Sequence, residues 1–400
     1  MRGTLAIRRL LTALLWCSAY GAAQNQPPSL TTIYNFTDGS DGAAPTSLTI
    51  GEGGVLYGAA GHGGAYGAGT VFSLSPPTSP GGSWTFTLLY TFPGGDYPEQ
   101  PVTRLTLGAG GVLYGEALNA YGPMEIYSLT PPASAGGQWS FAIVASFYGV
   151  ADYPSGIAIS PGGVLFGEAY SDCGGSVFAL VPPASPGESW AEQTVKNWGC
   201  NSYRVPVEGL AIGAGGVLYG TFLGVGSVPA EVFELAPPAT PGGAWTETVL
   251  DQFTGMYSGL TTEVVIGGGG VLYGTLSEGG SIYSLTPPVS PGGAWTEATL
   301  FELPTLPSGV GPNPGPLTVG ENGTLYGTTQ SGGASGAGTA YALKPPATPG
   351  AAWTQINLHT FTGSDGMSPT ALVIGSGGVL YGATSQGGAY GYGTVFAIKE

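Results

Sequence analysis

Acidic side chains are the most numerous groups in this sequence that could do chemistry, with 24 Asp and Glu against eight Lys and Arg. Five aspartates stand in short segments rich in Gly and Pro: Asp38, Asp41, Asp96, Asp152 and Asp365. Converging oxygen ligands could hold Ca²⁺, which takes about six to eight of them, and Asp41 and Asp365 are the candidate ligands. Asp-Gly is also an ordinary turn pair, and the spacing fits no established calcium loop. We therefore favour turns and expect no cofactor.

Histidine chemistry is restricted because His62 and His359 are the only histidines. A zinc site with three histidines cannot be built from them, and neither a G-x-S-x-G nor an H-E-x-x-H motif is present. A pair of carboxylates could still hydrolyse glycosidic bonds, but the spacing singles out no pair.

A glycine-rich stretch, GAGGVLYG, occurs at residues 108–115 and again at 213–220. Its glycines suggest a phosphate-binding loop. That interpretation fails because such loops open a helix, and no helix-forming sequence follows either copy.

The same stretch is part of an internal repeat that must position any site. The signature (G/N)G(V/T)L(Y/F)G recurs seven times at intervals of 52 to 57 residues, with its last glycine at Gly58, Gly115, Gly167, Gly220, Gly274, Gly327 and Gly382. Repeats of this length that fill a chain are typical of arrays or propellers.

Each unit contains four strand-like pieces, in which Val, Tyr, Phe and Thr alternate with small or polar residues. The fourth piece opens with tryptophan in six units: Trp84, Trp139, Trp190, Trp245, Trp295 and Trp353. We interpret these tryptophans as core between units. The seventh unit lacks this piece, and residues 32–36 resemble residues 89–92 of the first unit. The sequence thus predicts an all-β, closed seven-bladed β-propeller with four antiparallel strands per blade, in which the N-terminal strand completes the last blade.

The combination of GGVLYG, GGAYGAGTVFSL, a Pro-Pro hairpin followed by PGG and Trp, and a Phe-Thr-Gly turn with Asp-Gly resembles the bacterial choice-of-anchor tandem repeat GloVer-containing protein family. The resemblance covers the predicted propeller. It implies export and a repeat architecture, and it indicates no ligand.

Residues 1–23 are typical of a secretory signal, with Arg2, Arg8 and Arg9 before a short apolar run and small residues at its end. We expect a short linker at 24–30, the propeller at 31–400, and a secreted or periplasmic monomer without membrane insertion. The chain beyond the signal keeps five basic residues against 24 acidic ones, which disfavours nucleic acid as a partner.

In a propeller, the loops that join second to third strands and the loops that join successive blades share one face, and function usually lies on loops. The candidate ligand residues of this rim are Asp38, Asp41, His62, Tyr66, Asp96, Tyr97, Asp152, Asp365 and Tyr390. Cys173 and Cys200 lie in two such loops of the third unit, and we expect a disulfide between them.

These observations favour a non-enzymatic binding or scaffold propeller whose partner is an extracellular carbohydrate or protein. The alternative is a polysaccharide hydrolase or lyase that uses rim carboxylates. Few basic residues are available to clamp an anionic substrate, and this scarcity argues against the enzyme.

Overall fold

A computed structural model describes residues 27–79, 81–94, 99–101, 103–118, 124–134, 136–147, 156–171, 174–185, 188–199, 204–223, 229–240, 242–253, 262–276, 280–290, 292–304, 312–348 and 350–400. Within these ranges, no helix has the length and apolar character needed to cross a membrane.

The described chain forms thirty β-strands and six short 3₁₀ turns. The strands are β1 (Ser29–Asn35), β2 (Ala43–Ile50), β3 (Leu56–His62), β4 (Thr70–Ser75), β5 (Thr85–Thr91), β6 (Glu99–Pro101), β7 (Thr106–Leu107), β8 (Leu113–Leu118), β9 (Met124–Thr130), β10 (Ser140–Phe147), β11 (Ile157–Ile159), β12 (Leu165–Ser171), β13 (Gly174–Val181), β14 (Ala191–Asn197), β15 (Val205–Ile212), β16 (Leu218–Leu223), β17 (Ala230–Ala236), β18 (Thr246–Phe253), β19 (Val265–Ile266), β20 (Leu272–Leu276), β21 (Ser281–Thr286), β22 (Thr296–Glu302), β23 (Thr318–Val319), β24 (Leu325–Thr329), β25 (Thr339–Lys344), β26 (Thr354–Thr360), β27 (Met367–Pro369), β28 (Val373–Ile374), β29 (Leu380–Gln386) and β30 (Thr394–Lys399). The 3₁₀ turns are Glu52–Gly54, Ala109–Gly111, Ala214–Gly216, Gly268–Gly270, Glu321–Gly323 and Ser376–Gly378.

Seven antiparallel sheets make seven blades, which confirms the predicted propeller. Blades one to six are formed by β2–β5, β6–β10, β11–β14, β15–β18, β19–β22 and β23–β26. Blade seven combines β27–β30 with β1, and in blades two and seven the first strand is divided into two pieces.

The ring closes through the N-terminal strand. β1 pairs antiparallel with β30, from Ser29 opposite Lys399 to Asn35 opposite Thr394. The strand therefore begins two residues before the domain boundary expected at residue 31. The expected signal segment and the first three residues of the linker lie outside the described residues.

The last glycine of each signature is required by a close approach between two strands. A Cβ atom at Gly58 would lie 2.5 Å from Cζ of Phe72 on the neighbouring strand β4. At Gly115 it would collide with the ring of Tyr127 on β9. Contacts this short are not tolerated in a close-packed interior, so the glycine lets the aromatic ring of the third strand lie across the second strand.

The hydrophobic core is divided among the interfaces between blades. Seven clusters of buried apolar side chains lie between adjacent blades in the described part of the chain. Each of the six strand-opening tryptophans packs against the signature Tyr or Phe of the preceding blade, in the pairs Trp84–Tyr381, Trp139–Tyr57, Trp190–Tyr114, Trp245–Phe166, Trp295–Tyr219 and Trp353–Tyr273. Their predicted role as core between units is confirmed.

Candidate active site

The loops that join blades and the loops that join second to third strands meet on one face, as expected. The Gly64 amide donates to the Gly39 carbonyl at 2.8 Å, and the Gly388 amide donates to the Gly363 carbonyl at 2.8 Å. Each of these hydrogen bonds joins a second-to-third loop to a between-blade loop. This face is the rim.

A cavity of about 680 Å³ occupies the propeller axis. All seven blades contribute residues to its wall, mainly from their first strands. Wall residues such as Pro45, Gln330 and Gln386 lie at the strand ends nearest the rim loops. The cavity volume is in the range that small-molecule sites occupy, about 300 to 1,000 Å³.

One repeated sequence position supplies a ring of wall residues, which we call the axial ring. It stands eleven residues before the signature glycine in every blade. From blade one to blade seven, its members are Ser47, Arg104, Gly156, Gly209, Glu263, Pro316 and Ala371, and all of them line the cavity. Two members of the ring are charged: Arg104 in blade two is a cation, and Glu263 in blade five is an anion.

Those two charges form an ion pair across the axis. Arg104 Nη2 lies 3.1 Å from Glu263 Oε1 and 3.4 Å from Glu263 Oε2. The Arg104 side chain is 44% exposed and that of Glu263 is 17% exposed, so both reach open space in the cavity. Around them, Thr46, Ser47, Gln330, Ser385 and Gln386 offer uncharged donors and acceptors.

A buried carboxyl lies directly behind this wall. Glu116 is 1% exposed, and its Oε2 accepts a hydrogen bond of 3.1 Å from the amide of Gly156, a member of the axial ring. Burial raises the pKa of Glu116 to about 7, although hydrogen bonding to Gly156 and Thr103 acts in the opposite direction. A second buried carboxylate, Glu168, accepts a 3.1 Å hydrogen bond from the amide of Gly209.

The rim carboxylates named by the sequence hold their own loops. Asp41 accepts hydrogen bonds from the Tyr34 hydroxyl, the Thr37 amide and hydroxyl, and the Gly39 amide at 2.5 to 3.2 Å. Asp365 occupies the equivalent turn and lies 2.7 Å from Nε2 of His359. Burial alone would raise the pKa of Asp365, but hydrogen bonds from Thr362 and His359 outweigh burial and lower it.

The other predicted rim residues that the structure describes do not line the cavity. Tyr66 and Tyr390 are 69% and 62% exposed, at equivalent positions of adjacent second-to-third loops. Asp38 and His62 are exposed in the rim loops of blade one. The expected ligands Asp96, Tyr97 and Asp152 and the expected disulfide partners Cys173 and Cys200 lie outside the described residues.

Calcium ligation by Asp41 and Asp365 stays a hypothesis with little geometric support. Across the described ranges, no group of three or more His, Cys, Asp or Glu residues is placed to hold a metal ion. Both carboxylates already accept several local hydrogen bonds, as turn-forming aspartates do. The groups that converge are instead Arg104 and Glu263, which no sequence motif marks.

Comparison with known proteins supports the repeat and the fold. Residues 260–400 match the Gloeobacter/Verrucomicrobia repeat, which confirms the resemblance to the GloVer repeat family. A search of the curated proteins found no significant match. Among solved structures, a protein from Lactobacillus plantarum is 14% identical with a TM-score of 0.56, covering 82% of this chain and 88% of its own. The periplasmic gluconolactonase PpgL of Pseudomonas aeruginosa is 14% identical with a TM-score of 0.52, covering 77% of this chain and 83% of its own.

These findings correct the functional expectation. The sequence favoured a non-enzymatic binding or scaffold propeller, because few basic residues are present and no catalytic motif was visible. That expectation is wrong: a solved structure that shares the fold is that of a periplasmic gluconolactonase. The axial cavity of this chain also holds the Arg104–Glu263 ion pair. The hydrolase alternative is better supported, with the carboxylate on the axis instead of the rim.

Proposed function

We propose that the axial cavity is the active site of a hydrolase for small, uncharged lactones or esters of polyhydroxy acids. The observation that carries the proposal is the Arg104–Glu263 pair, which places a carboxylate and a guanidinium 3.1 Å apart inside the cavity. A carboxylate can act as general base, and a guanidinium can stabilise an oxyanion.

In the proposed reaction, Glu263 removes a proton from water while the water oxygen attacks the carbonyl carbon of the substrate. The carbonyl electron pair moves onto oxygen, and Arg104 stabilises the resulting tetrahedral oxyanion. When the intermediate collapses, the bond to the ester oxygen breaks and that oxygen takes the proton from Glu263. The product is a hydroxy acid, and Glu263 returns to its carboxylate form.

Charge and size define the substrate class. Among the described wall residues, Arg104 is the one cation, and Glu263 already neutralises it. A phosphorylated substrate would find no further positive charge to compensate its own, so a neutral substrate is favoured. Hydroxyl and amide groups such as those of Thr46, Gln330 and Gln386 suit the hydroxyl groups of a sugar-derived lactone.

Export of this hydrolase is part of the proposal. Its support is the signal-like sequence of residues 1–23 and the structural likeness to an enzyme described as periplasmic.

The test is lactone hydrolysis by the purified protein, followed by pH-stat against the spontaneous rate. The probes are D-glucono-1,5-lactone, its 6-phosphate, and an uncharged aliphatic lactone. We expect turnover of the neutral sugar lactone and poor turnover of the phosphorylated one. Glu263→Gln and Arg104→Met should each lower kcat by about 100-fold or more, because each removes one of the two reacting functions.

The matched control is Lys344→Met. It breaks an ion pair of 3.8 Å between Lys344 and Glu400, neither of which lines the cavity. This variant should keep the wild-type rate. Hydrolysis no faster than in buffer for all three probes, or full activity in Glu263→Gln, would exclude the proposed function.

A further inference from the structure

One position of the repeat carries a residue that the fold does not require. The residue after the signature glycine is buried in every blade, and from blade one to blade seven it is Ala59, Glu116, Glu168, Thr221, Thr275, Thr328 and Ala383. Five blades form the same structure with Ala or Thr at this position. A carboxyl group there is costly to bury, so its presence in blades two and three calls for a reason beyond folding.

The position forms the inner seam between neighbouring blades. In blade six, the Thr328 hydroxyl donates 3.0 Å to the carbonyl of Thr370, a wall residue of blade seven. In blade two the direction of the hydrogen bond is reversed, because Glu116 Oε2 accepts a hydrogen bond from the amide of Gly156 in blade three. In blades two and six, the residue after the signature glycine therefore holds the cavity wall of the next blade.

Glu116 also reaches the wall of its own blade. The Thr103 hydroxyl lies close enough to this carboxyl to lower its pKa, and Thr103 lines the cavity immediately before Arg104 in the chain. Glu116 thus lies behind two wall segments, one of which carries the guanidinium. Its Oε1 is buried and has no partner in good hydrogen-bond geometry within the described ranges.

We propose that Glu116 is a positioning residue of the axial site, fixing the cavity wall beside Arg104 through its hydrogen bond with the Gly156 amide. This inference rests on the proposed hydrolase function for its catalytic consequence. Its structural part, that the Glu116 carboxyl controls the wall, is independent of that function.

The protonation state of Glu116 determines what it offers the wall. A protonated carboxyl donates one hydrogen bond, whereas the ionised form only accepts. Burial brings the pKa of Glu116 to about 7, so the two forms exchange near neutral pH. Among the described residues, the ionisable group that interacts with it is Tyr127 on β9, whose pKa is raised by burial and then by the charge of Glu116. Arg104, which follows Thr103 in the chain, is paired with Glu263.

The first measurement is independent of catalysis. The ¹H–¹⁵N signals of Gly156 and Thr103 are followed from pH 5 to pH 9 in the full chain and in Glu116→Gln. We expect both signals to titrate near pH 7 in the wild type and to be flat across neutral pH in the variant. Signals that are independent of pH, or that titrate equally in Glu116→Gln, would overturn the inference.

The second measurement is the pH profile of kcat and KM for D-glucono-1,5-lactone. Glu116→Gln should remove the ionisation near pH 7 from the kcat profile while leaving KM within about twofold. Glu116→Thr, which installs the residue of blades four to six, should lower kcat by about tenfold. Thr328→Ala is the matched control at the same seam position of blade six; it removes no titrating group, so the ionisation near pH 7 should remain in its kcat profile.

The outcomes separate the two proposals. An active wild type whose kcat profile is unchanged in Glu116→Gln would refute the positioning role and leave the hydrolase standing. A wild type that hydrolyses none of the lactones would refute the hydrolase. In that case, the amide titration alone decides whether Glu116 controls the wall.

Discussion

Arg104 and Glu263 are 159 residues apart in the chain, and their side chains meet at 3.1 Å across the propeller axis. The repeat makes this possible, because both stand at the same position relative to the signature glycine, in blades two and five. The same position is occupied by Ser, Gly, Pro or Ala in the other blades. The other five members of the axial ring are uncharged, so the fold does not require charge at this position. We therefore expect the charged pair to serve a functional site.

Exchanging the two charges separates catalysis from stability. An ion pair this exposed contributes about 1 kcal/mol or less to folding. The free energy of unfolding in urea of the double variant Arg104→Glu, Glu263→Arg should therefore lie within about 1 kcal/mol of the wild-type value. The same double variant should lose hydrolysis by about 100-fold or more, because base and guanidinium have changed places. A double variant that is stable and fully active would show that the pair is only structural.

Glu116 makes stability depend on pH in an unusual direction. Its pKa rises from 4.5 to about 7 on folding, so the unfolded chain releases this proton at a lower pH than the folded chain does. The contribution of Glu116 to stability is therefore highest below pH 4.5 and declines as the pH rises to about 7, by up to about 3 kcal/mol.

Glu116→Gln should remove that decline, and urea unfolding at pH 5, 6, 7 and 8 measures it. Thr328→Ala is the control, because it changes the same seam position without removing a titrating group. If the free energies of unfolding of the wild type and Glu116→Gln change with pH in the same way, burial does not raise the pKa of Glu116.

The fold was predictable from sequence because the repeat shows the number of blades and the strands within each blade. The seven signatures fix the number of blades, and the missing tryptophan of the seventh unit predicts that the N-terminal strand completes the ring. Contacts within one unit are local in sequence, so alternation of residues and glycine turns are sufficient to read them. The interface role of the tryptophans followed from their common register.

The candidate site was harder to predict, because its signal lies in departures from the repeat and not in a motif. Aligning the units on the signature glycine shows the charges of Arg104 and Glu263 in a column that is otherwise uncharged. The same alignment shows Glu116 and Glu168 in a column of Ala and Thr. What it could not give is the burial that raises the pKa of Glu116, because burial depends on how blades pack together.

Ring closure should dominate stability. Phe36 follows the closing strand, is fully buried, and contacts Phe72 with ring centroids 5.1 Å apart. Deleting residues 31–36 removes most of β1 and this side chain, so the melting temperature should fall sharply in calorimetry. Phe36→Ala alone should cost about 3 to 5 kcal/mol.

Phe361→Ala is the matched variant, since Phe361 occupies the equivalent buried position at the interface between blades six and seven. It should cost a similar amount without opening the ring. An unchanged melting temperature after the deletion would contradict closure through β1.

A second ionic cluster holds blades three and four together. Glu247 accepts from Lys196 at 2.7 Å, from Arg204 at 2.7 Å and from the Trp198 indole at 2.9 Å. Burial by itself would raise the pKa of Glu247, but these partners outweigh it and lower the pKa.

Its contribution is therefore present above pH 4.5 and is lost as the pH falls through the lowered pKa of the folded state. Glu247→Gln should cost about 1 to 3 kcal/mol at pH 7, because the half-buried Lys196 and Arg204 each lose a counter-ion. Lys344→Met removes an exposed pair and should cost less than about 0.5 kcal/mol in the same urea titrations. Equal effects of the two substitutions would mean that the cluster is not structural.

Two equivalent rim turns use different side chains to contact their aspartate, so a residue from one turn can be tested in the other. His359 contacts Asp365 at 2.7 Å and lies edge-on to Phe361 at 4.9 Å. In the closing strand, Tyr34 contacts Asp41 at 3.0 Å and lies edge-on to Phe36 at 5.1 Å. His359→Tyr should therefore keep the hydrogen bond and remain within about 0.5 kcal/mol of the wild type in urea unfolding, whereas His359→Phe should lose about 1 kcal/mol.

The loss of stability at low pH, which we call the acid limb, provides a check on the same turn. Because the pKa of Asp365 is lowered, its contribution is present above pH 3.8 and is lost as the pH falls through the pKa of the folded state. Asp365→Asn should flatten this limb, while His359→Tyr should preserve it, since the Thr362 amide still donates to the carboxylate at 2.8 Å. If His359→Tyr destabilises the protein as much as His359→Phe, the two turns are not interchangeable, and Asp365 depends on the imidazole itself.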